Sequence, residues 1–139
     1  MIRVAVVGAG AWGINHVRAF SRQPNCELTL VCDASEKARL RALGLAPRAK
    51  QTARLADVLG DPDVDAIVFA TPAEMHAEHA VAGLEAGKHV LVEKPMALTE
   101  ADARRVVKAA KRSDRVLLTG HLMLYHPAVE RIGELVASG

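Results

Sequence analysis

A doubly wound parallel α/β sheet with helices on both faces, in the strand order 3-2-1-4-5-6, is the architecture that this 139-residue sequence predicts. Three observations carry that expectation. Strand-like and helix-like patterns alternate from end to end, as successive βα units do. The strand-like runs, such as the stretches 4–7 and 66–70, are apolar throughout rather than alternating, so both of their faces are buried. And Val4-Ala5-Val6-Val7 leads directly into Gly8-Ala9-Gly10-Ala11-Trp12-Gly13, a G-x-G-x-x-G turn placed between a strand and a helix.

The elements follow in order. Residues 2–7 form a buried strand, and residues 12–22 have helical spacing that ends before Pro24. A second strand covers 27–33. Ser35 starts a short helix toward Leu43, with Gly44 at its end. Residues 49–52 suit a short edge strand and 55–59 a short helix, closed by the turn Asp61-Pro62-Asp63. The third strong strand, 65–70, is followed by a helix over 74–86 that stops at Gly87. A strand over 89–93 comes next. Thr99 then caps a helix through Arg112, with Asp102 in the position of a capping box. The last strand is 116–119, and an amphipathic helix over 127–137 closes the chain. Residues 1–120 make one domain, and 121–139 lead away from it.

Composition narrows the function. Half of the residues are hydrophobic but only 3% are aromatic, so aliphatic side chains fill the core. A chain of this size buries about two-thirds of its unfolded surface and needs no disulfide. Cys26 and Cys32 flank one strand without metal-ligand spacing and are expected to be free thiols. The net charge of +2 is spread along the chain, with no basic stripe, which argues against nucleic acid. Arg104, Arg105, Lys108, Lys111 and Arg112 read as a solvated helix face. Apolar runs are too short to span a bilayer and the N-terminus lacks a leader pattern, so the expected location is the cytoplasm. His76 and His79 share a helix face, yet no carboxylate or thiol cluster accompanies them, so no metal is expected. His16 is expected on the first helix near the sheet, in packing or polar contact.

The glycine turn points to a dinucleotide. Gly8 permits the tight turn, Gly10 keeps side-chain atoms away from a pyrophosphate, and Gly13 lets the helix approach the sheet. Free N–H groups and the dipole at the helix start attract the anion. Asp33 lies 20 residues after Gly13 at the end of the second strand. A carboxylate there accepts hydrogen bonds from the adenosine ribose and repels a 2′-phosphate, so NAD is favoured over NADP, with Ser35, Lys37 and Arg39 near enough to soften the exclusion. Trp12 either covers the mouth of the phosphate site or packs on the first helix.

Glu93-Lys94-Pro95 forms a second constellation at the end of a strand. Pro95 stops the strand and admits a cis peptide. Lys94 at this edge can hydrogen-bond an alcohol that is losing hydride. As a base it needs its pKa brought from about 10.4 to roughly 7–8 by burial or a nearby cation. The residues alone equally allow a surface lysine paired with Glu93.

The ordered set Gly8–Gly13, Asp33, Ala70-Thr71-Pro72, His76, Ala86-Gly87-Lys88-His89-Val90-Leu91-Val92-Glu93-Lys94-Pro95 and Gly120-His121 through His126-Pro127-Ala128 resembles the N-terminal domain of the glucose–fructose oxidoreductase / inositol dehydrogenase / rhizopine-catabolism (Gfo/Idh/MocA) family. The segment Gly120–Val129 is similar to the branch acting on UDP-N-acetylglucosamine or its uronic acid. The resemblance implies hydride transfer between NAD(P) and a sugar or nucleotide-sugar alcohol. It implies that Gly8, Gly10, Ala11, Trp12, Gly13 and Asp33 bind the cofactor, with Thr71, Pro72 and His76 lining the nicotinamide ribose. Glu93 and Lys94 then lie at the nicotinamide, Lys94 is catalytic, and His121 and Tyr125 face the substrate. Leu124 stands where many members carry arginine, so a substrate contact is not expected from it.

Family members continue into a second α+β domain with an open antiparallel sheet, which supplies most of the substrate pocket and the oligomer interface. The expectation is therefore of a chain that binds dinucleotide without turning over alone, and that self-associates through residues 127–139. The alternative function is a dinucleotide sensor, a binding-only module.

Overall fold

The alternating pattern becomes six strands and six helices in the computed structural model, which describes residues 1–139. They are β1 (Ile2–Val7), α1 (Gly13–Phe20), β2 (Cys26–Cys32), α2 (Glu36–Leu43), β3 (Lys50–Thr52), α3 (Leu55–Gly60), β4 (Ala66–Phe69), α4 (Ala73–Glu85), β5 (His89–Val92), α5 (Glu100–Ser113), β6 (Leu117–Thr119) and α6 (Pro127–Ser138). The expected 3-2-1-4-5-6 order is present, β3-β2-β1-β4-β5-β6, with every neighbouring pair parallel. The chain reverses its direction of winding between β1 and β4. In a doubly wound sheet the crevice for a ligand lies at the carboxyl ends of the strands on either side of such a reversal.

The pleat divides the core. Val4 and Val6 pack with Val17 and Ala42 under α1 and α2, while Ala5 and Val7 pack with Phe69, Leu84 and Val106 under α3, α4 and α5. Phe69 and Leu84 are fully buried, and each side chain of this size contributes about 1.5–3 kcal/mol. Both faces of the sheet are therefore dry, which is why its strands read as unbroken apolar runs.

Strand and helix ends differ from the sequence reading by one or two residues. Asp33 and Glu93 each fall one position past their strands, and Val116 lies before β6. Ser35 caps α2 by accepting from the Ala38 amide at 3.3 Å. The capping box at Thr99 is only half formed. Thr99 Oγ1 accepts from the Asp102 amide at 3.1 Å, but Asp102 Oδ2 accepts from that hydroxyl at 2.8 Å rather than from the Thr99 amide. Aspartate is one methylene shorter than the glutamate such a box uses. A 3-10 turn over Leu122–Tyr125, absent from the sequence reading, precedes α6. Neither segment has a buried residue, and Tyr125 is 70% exposed.

The end of the sheet opposite the crevice is fastened by Arg3. Its guanidinium donates to both oxygens of Asp65, at 3.0 and 2.8 Å, and the Arg3 amide donates to Oδ2 at 2.8 Å. These hydrogen bonds from Arg3 hold the Asp65 carboxyl well below the usual carboxylate range. The sign is that of a depressed acid: its stabilisation is present above the ordinary pKa of about 3.9 and is lost as pH falls further. Asp65→Asn is expected to lower the melting temperature at neutral pH and to flatten its fall below about pH 4. Thermal scans from neutral pH downward check this, and parallel curves for both proteins would contradict it.

Candidate active site at the carboxyl edge of the sheet

The glycine turn is built by the close approach of two loops. Gly8 has φ +89°, and a Cβ there would lie 2.5 Å from the Ala70 carbonyl oxygen. A Cβ on Gly13 would lie 1.8 Å from the Gly8 carbonyl oxygen. The protein itself therefore demands glycine at both positions. Gly10 differs, because a Cβ there meets no atom within 4 Å. Nothing in the chain requires glycine at this position, whereas a ligand lying against the backbone does. The start of α1 behind it has no side-chain cap and no acidic residue in its first turn. A dinucleotide pyrophosphate fits this cradle.

Asp33 braces the turn. Its Oδ2 accepts from the Ala9 amide at 2.7 Å and its Oδ1 from the Ser35 amide at 2.8 Å. Each oxygen keeps acceptor capacity for a ribose hydroxyl. Arg41, which the sequence reading passed over, donates to the Ala9 and Gly10 carbonyls at 2.7 and 3.0 Å and adds a cation beside the turn. Arg39 instead donates to the Asp33 carbonyl at 2.7 Å and to the Gln51 side chain at 3.0 Å.

On the other side of the crevice, the Thr71 and Pro95 turns are stapled by His76. Its Nε2 lies 2.7 Å from the Thr71 carbonyl and its Nδ1 lies 2.7 Å from the Pro95 carbonyl. The ring is 2% exposed. Expected as a lining residue, His76 presents no free nitrogen to the crevice and shapes it through the two backbones it joins. Thr71 Oγ1 lies 3.1 Å from His79 Nδ1, and burial pushes the His79 pKa down, with Glu78 opposing and His76 reinforcing the shift. Pro72, exposed, stands at the N-cap of α4. No group of three or more His, Cys, Asp or Glu side chains is placed to hold a metal.

Glu93 borders the crevice beside Lys94 but does not make the surface pair that the residues alone allowed. Its side chain is turned inward, 7% exposed, and does not pair with the Lys94 ammonium. Oε1 accepts from Trp12 Nε1 at 2.6 Å and lies 2.7 Å from His16 Nε2, while Oε2 accepts from the Lys94 amide at 3.2 Å. Burial alone would raise this carboxyl, but the hydrogen bonds from His16, Trp12 and the Lys94 amide outweigh it and hold it below its ordinary value. The Lys94–Pro95 peptide is cis. The Lys94 side chain is left exposed at the wall of a cleft of about 660 Å³, bordered also by Trp12, His121 and Met123. Trp12 stands at this cleft, half exposed, and not only against the first helix. Tyr125 points to solvent outside the cleft wall. A second cleft, of about 540 Å³, lies at the opposite end of the strands beside Phe20 and Pro24 and holds none of these residues.

The glycine turn between strand and helix, with the Asp33 carboxylate and Lys94 on the same sheet edge, is the arrangement of an NAD-binding Rossmann domain. The profile of the NAD-binding Rossmann oxidoreductase family Gfo/Idh/MocA matches residues 2–121, and the chain belongs to that family. It is similar to inositol 2-dehydrogenase 3 of Saccharopolyspora erythraea, 36% identical over 99% of this chain and 41% of that protein. The structure of GenD2 from gentamicin A biosynthesis, in complex with NAD, superposes with a TM-score of 0.92 at 35% identity, over 98% of this chain and 39% of that one. WlbA of Chromobacterium violaceum, solved with NADH and UDP-GlcNAcA, gives a TM-score of 0.79 at 35% identity over 85% of this chain and 34% of that one. The chain spans less than half the length of the curated relatives it matches first. No helix is long and apolar enough to cross a membrane.

Proposed function

We propose that this chain binds NAD(H) in the crevice and presents Lys94 to the hydroxyl of a sugar or nucleotide-sugar alcohol. The observation that carries this reading is that Trp12 of the glycine turn and Lys94 border one cleft. NAD, held at the glycine turn and Asp33, would supply the acceptor for the hydride that leaves the carbinol carbon. Lys94 Nζ takes the hydroxyl proton, so the alcohol becomes a ketone, and the reverse direction returns both. Gly10, Ala11, Trp12 and Gly13 hold the pyrophosphate at the helix start, and Gly8, whose own N–H donates to the Cys32 carbonyl at 2.8 Å, makes the turn that brings them to it. Asp33 holds the adenosine ribose and disfavours a 2′-phosphate. Thr71 and Pro72 form the edge beside the nicotinamide ribose, and His76 fixes that edge. His121, on the same cleft wall as Lys94, faces the substrate, whereas Tyr125 lies outside that wall and is not assigned a contact.

Trp12 is the single tryptophan and reports on the site. Titration with NADH is expected to quench its emission at micromolar ligand, and NADPH to do so much more weakly. Gly10→Val should abolish the response while leaving the melting temperature within a few degrees, since the fold has room for the side chain and the ligand does not. Equal quenching of Gly10→Val would contradict a pyrophosphate at the turn. A response to NADH without any turnover of sugar alcohols by the active protein would favour the sensor reading.

The proposed setting is the cytoplasm. Self-association is proposed through α6, whose Ile132, Leu135 and Val136 are exposed. Sedimentation velocity over a concentration series tests it, and a monomer at the highest concentration would reject it.

A further inference from the structure

The Glu93 carboxylate, 7% exposed, meets the cleft only at its edge, and it joins three separate parts of the site. Through Trp12 it reaches the glycine turn, through His16 the body of α1, and through the Lys94 amide the backbone of the proposed proton acceptor. It is also enclosed: a Cβ on Gly120 would lie 3.1 Å from its carboxyl atoms. At this exposure the carboxylate has little solvent to replace a lost donor, so it follows its donors when they move. Trp12 is itself part of the turn on which an anion would settle.

We propose that Glu93, held by His16, is a positioning residue that transmits occupancy of the glycine turn to Lys94. A phosphate fixing residues 10–13 fixes the Trp12 indole. The indole fixes Glu93 Oε1, and Oε2 of the same rigid carboxylate fixes the Lys94 amide. His16 is the second anchor on Oε1. It keeps the carboxylate from swinging with the indole into the cleft, so that movement at Trp12 arrives at Lys94 rather than being absorbed. By linkage the coupling is reciprocal: Lys94 settled on its carboxylate also favours the turn in its ligand-bound arrangement. The functional meaning rests on the reading of Lys94 as proton acceptor, but the coupling itself is measurable without turnover.

ADP is the probe, because it carries the adenosine ribose and pyrophosphate but has no nicotinamide to perturb Lys94 directly. In ¹⁵N-labelled protein the single indole N–H and the Lys94 amide are followed as ADP is added. Both are expected to shift along one saturation curve. In Glu93→Gln, which keeps the shape and removes the charge, ADP should still shift the indole while the Lys94 response is lost. His16→Ala should reduce the Lys94 response and His16→Gln, which restores a donor, should recover most of it. Should Glu93→Gln fail to fold, Trp12→Phe cuts the same path at a half-exposed ring, and loss of the Lys94 response with ADP still bound carries the same meaning. A Lys94 response that survives these cuts, or is absent in the unaltered protein while ADP binds, overturns the relay and leaves the dinucleotide reading standing. Failure of ADP to shift any resonance of the turn overturns both.

Discussion

Gly13→Ala is expected to abolish NADH binding and to destabilise the domain by several kcal/mol. The added methyl would sit 1.8 Å from the Gly8 carbonyl oxygen and 2.8 Å from its carbon. Both are backbone atoms, and Gly8 is itself held against Ala70 and Thr71 at distances under 3 Å from an ideal Cβ position. No rotamer relieves such a contact. Either α1 lifts from the sheet, opening the packing around fully buried Val17, or the turn unwinds. Overpacking of this kind costs about 1–3 kcal/mol in adaptable cores and more where backbone must move. Urea unfolding gives the stability and the Trp12 titration gives the binding. The contrast with Gly10→Val is the informative part: one substitution should lose binding and stability together, the other binding alone. Loss of stability in both, or in neither, would mean that the turn is not organised as described.

Lys94→Ala is the second large effect. Lys94 is exposed on the cleft wall and makes no side-chain hydrogen bond within the chain, so its removal should leave the melting temperature within about a degree or two. Substrate-dependent NADH formation by the active protein should fall about 100- to 10,000-fold, the usual worth of a positioned general base. NADH affinity should change by less than about threefold, because the proposed pyrophosphate and adenosine contacts lie at Gly8–Gly13 and Asp33. Lys94→Arg should not rescue, since a guanidinium cannot give up its proton near neutral pH. A mutant losing NADH affinity and turnover in equal measure would make Lys94 a cofactor contact and nothing more.

The sheet order and the glycine turn were legible because both are written locally. Continuous apolar runs mark doubly covered strands, and the G-x-G-x-x-G spacing is itself local, although the Ala70 carbonyl against which Gly8 packs belongs to a distant loop. The partners of Glu93 were not legible. His16 is 77 positions away and Trp12 is 81, and neither carries a periodic signal that singles out a carboxylate. The same holds for Arg41, whose spacing on α2 suits a solvated face, yet whose guanidinium reaches back 31 and 32 positions to the turn. His76 was legible as a site residue but not as a staple, because its two carbonyl partners belong to different loops. The 3-10 turn at Leu122–Tyr125 escaped because its four residues are apolar but unburied, and hydrophobic pattern reports only on burial.

The central place of β1 has a consequence for how the protein is made. Its first strand pairs on one side with β2, Ile2 facing Cys26, but on the other with β4, Val4 facing Ala66. At about 5–20 residues per second, the 62 residues between Val4 and Ala66 take roughly 3–12 seconds to synthesise. Throughout that interval the nascent chain carries an apolar strand with one open edge, and the nucleotide turn at its end lacks the Ala70 carbonyl against which Gly8 closes. Docking cannot be completed from the N-terminus outward; it waits for the middle of the chain. A ribosome stalled before residue 66 should therefore display a protease-sensitive, chaperone-binding segment, and one stalled well beyond residue 92 should not.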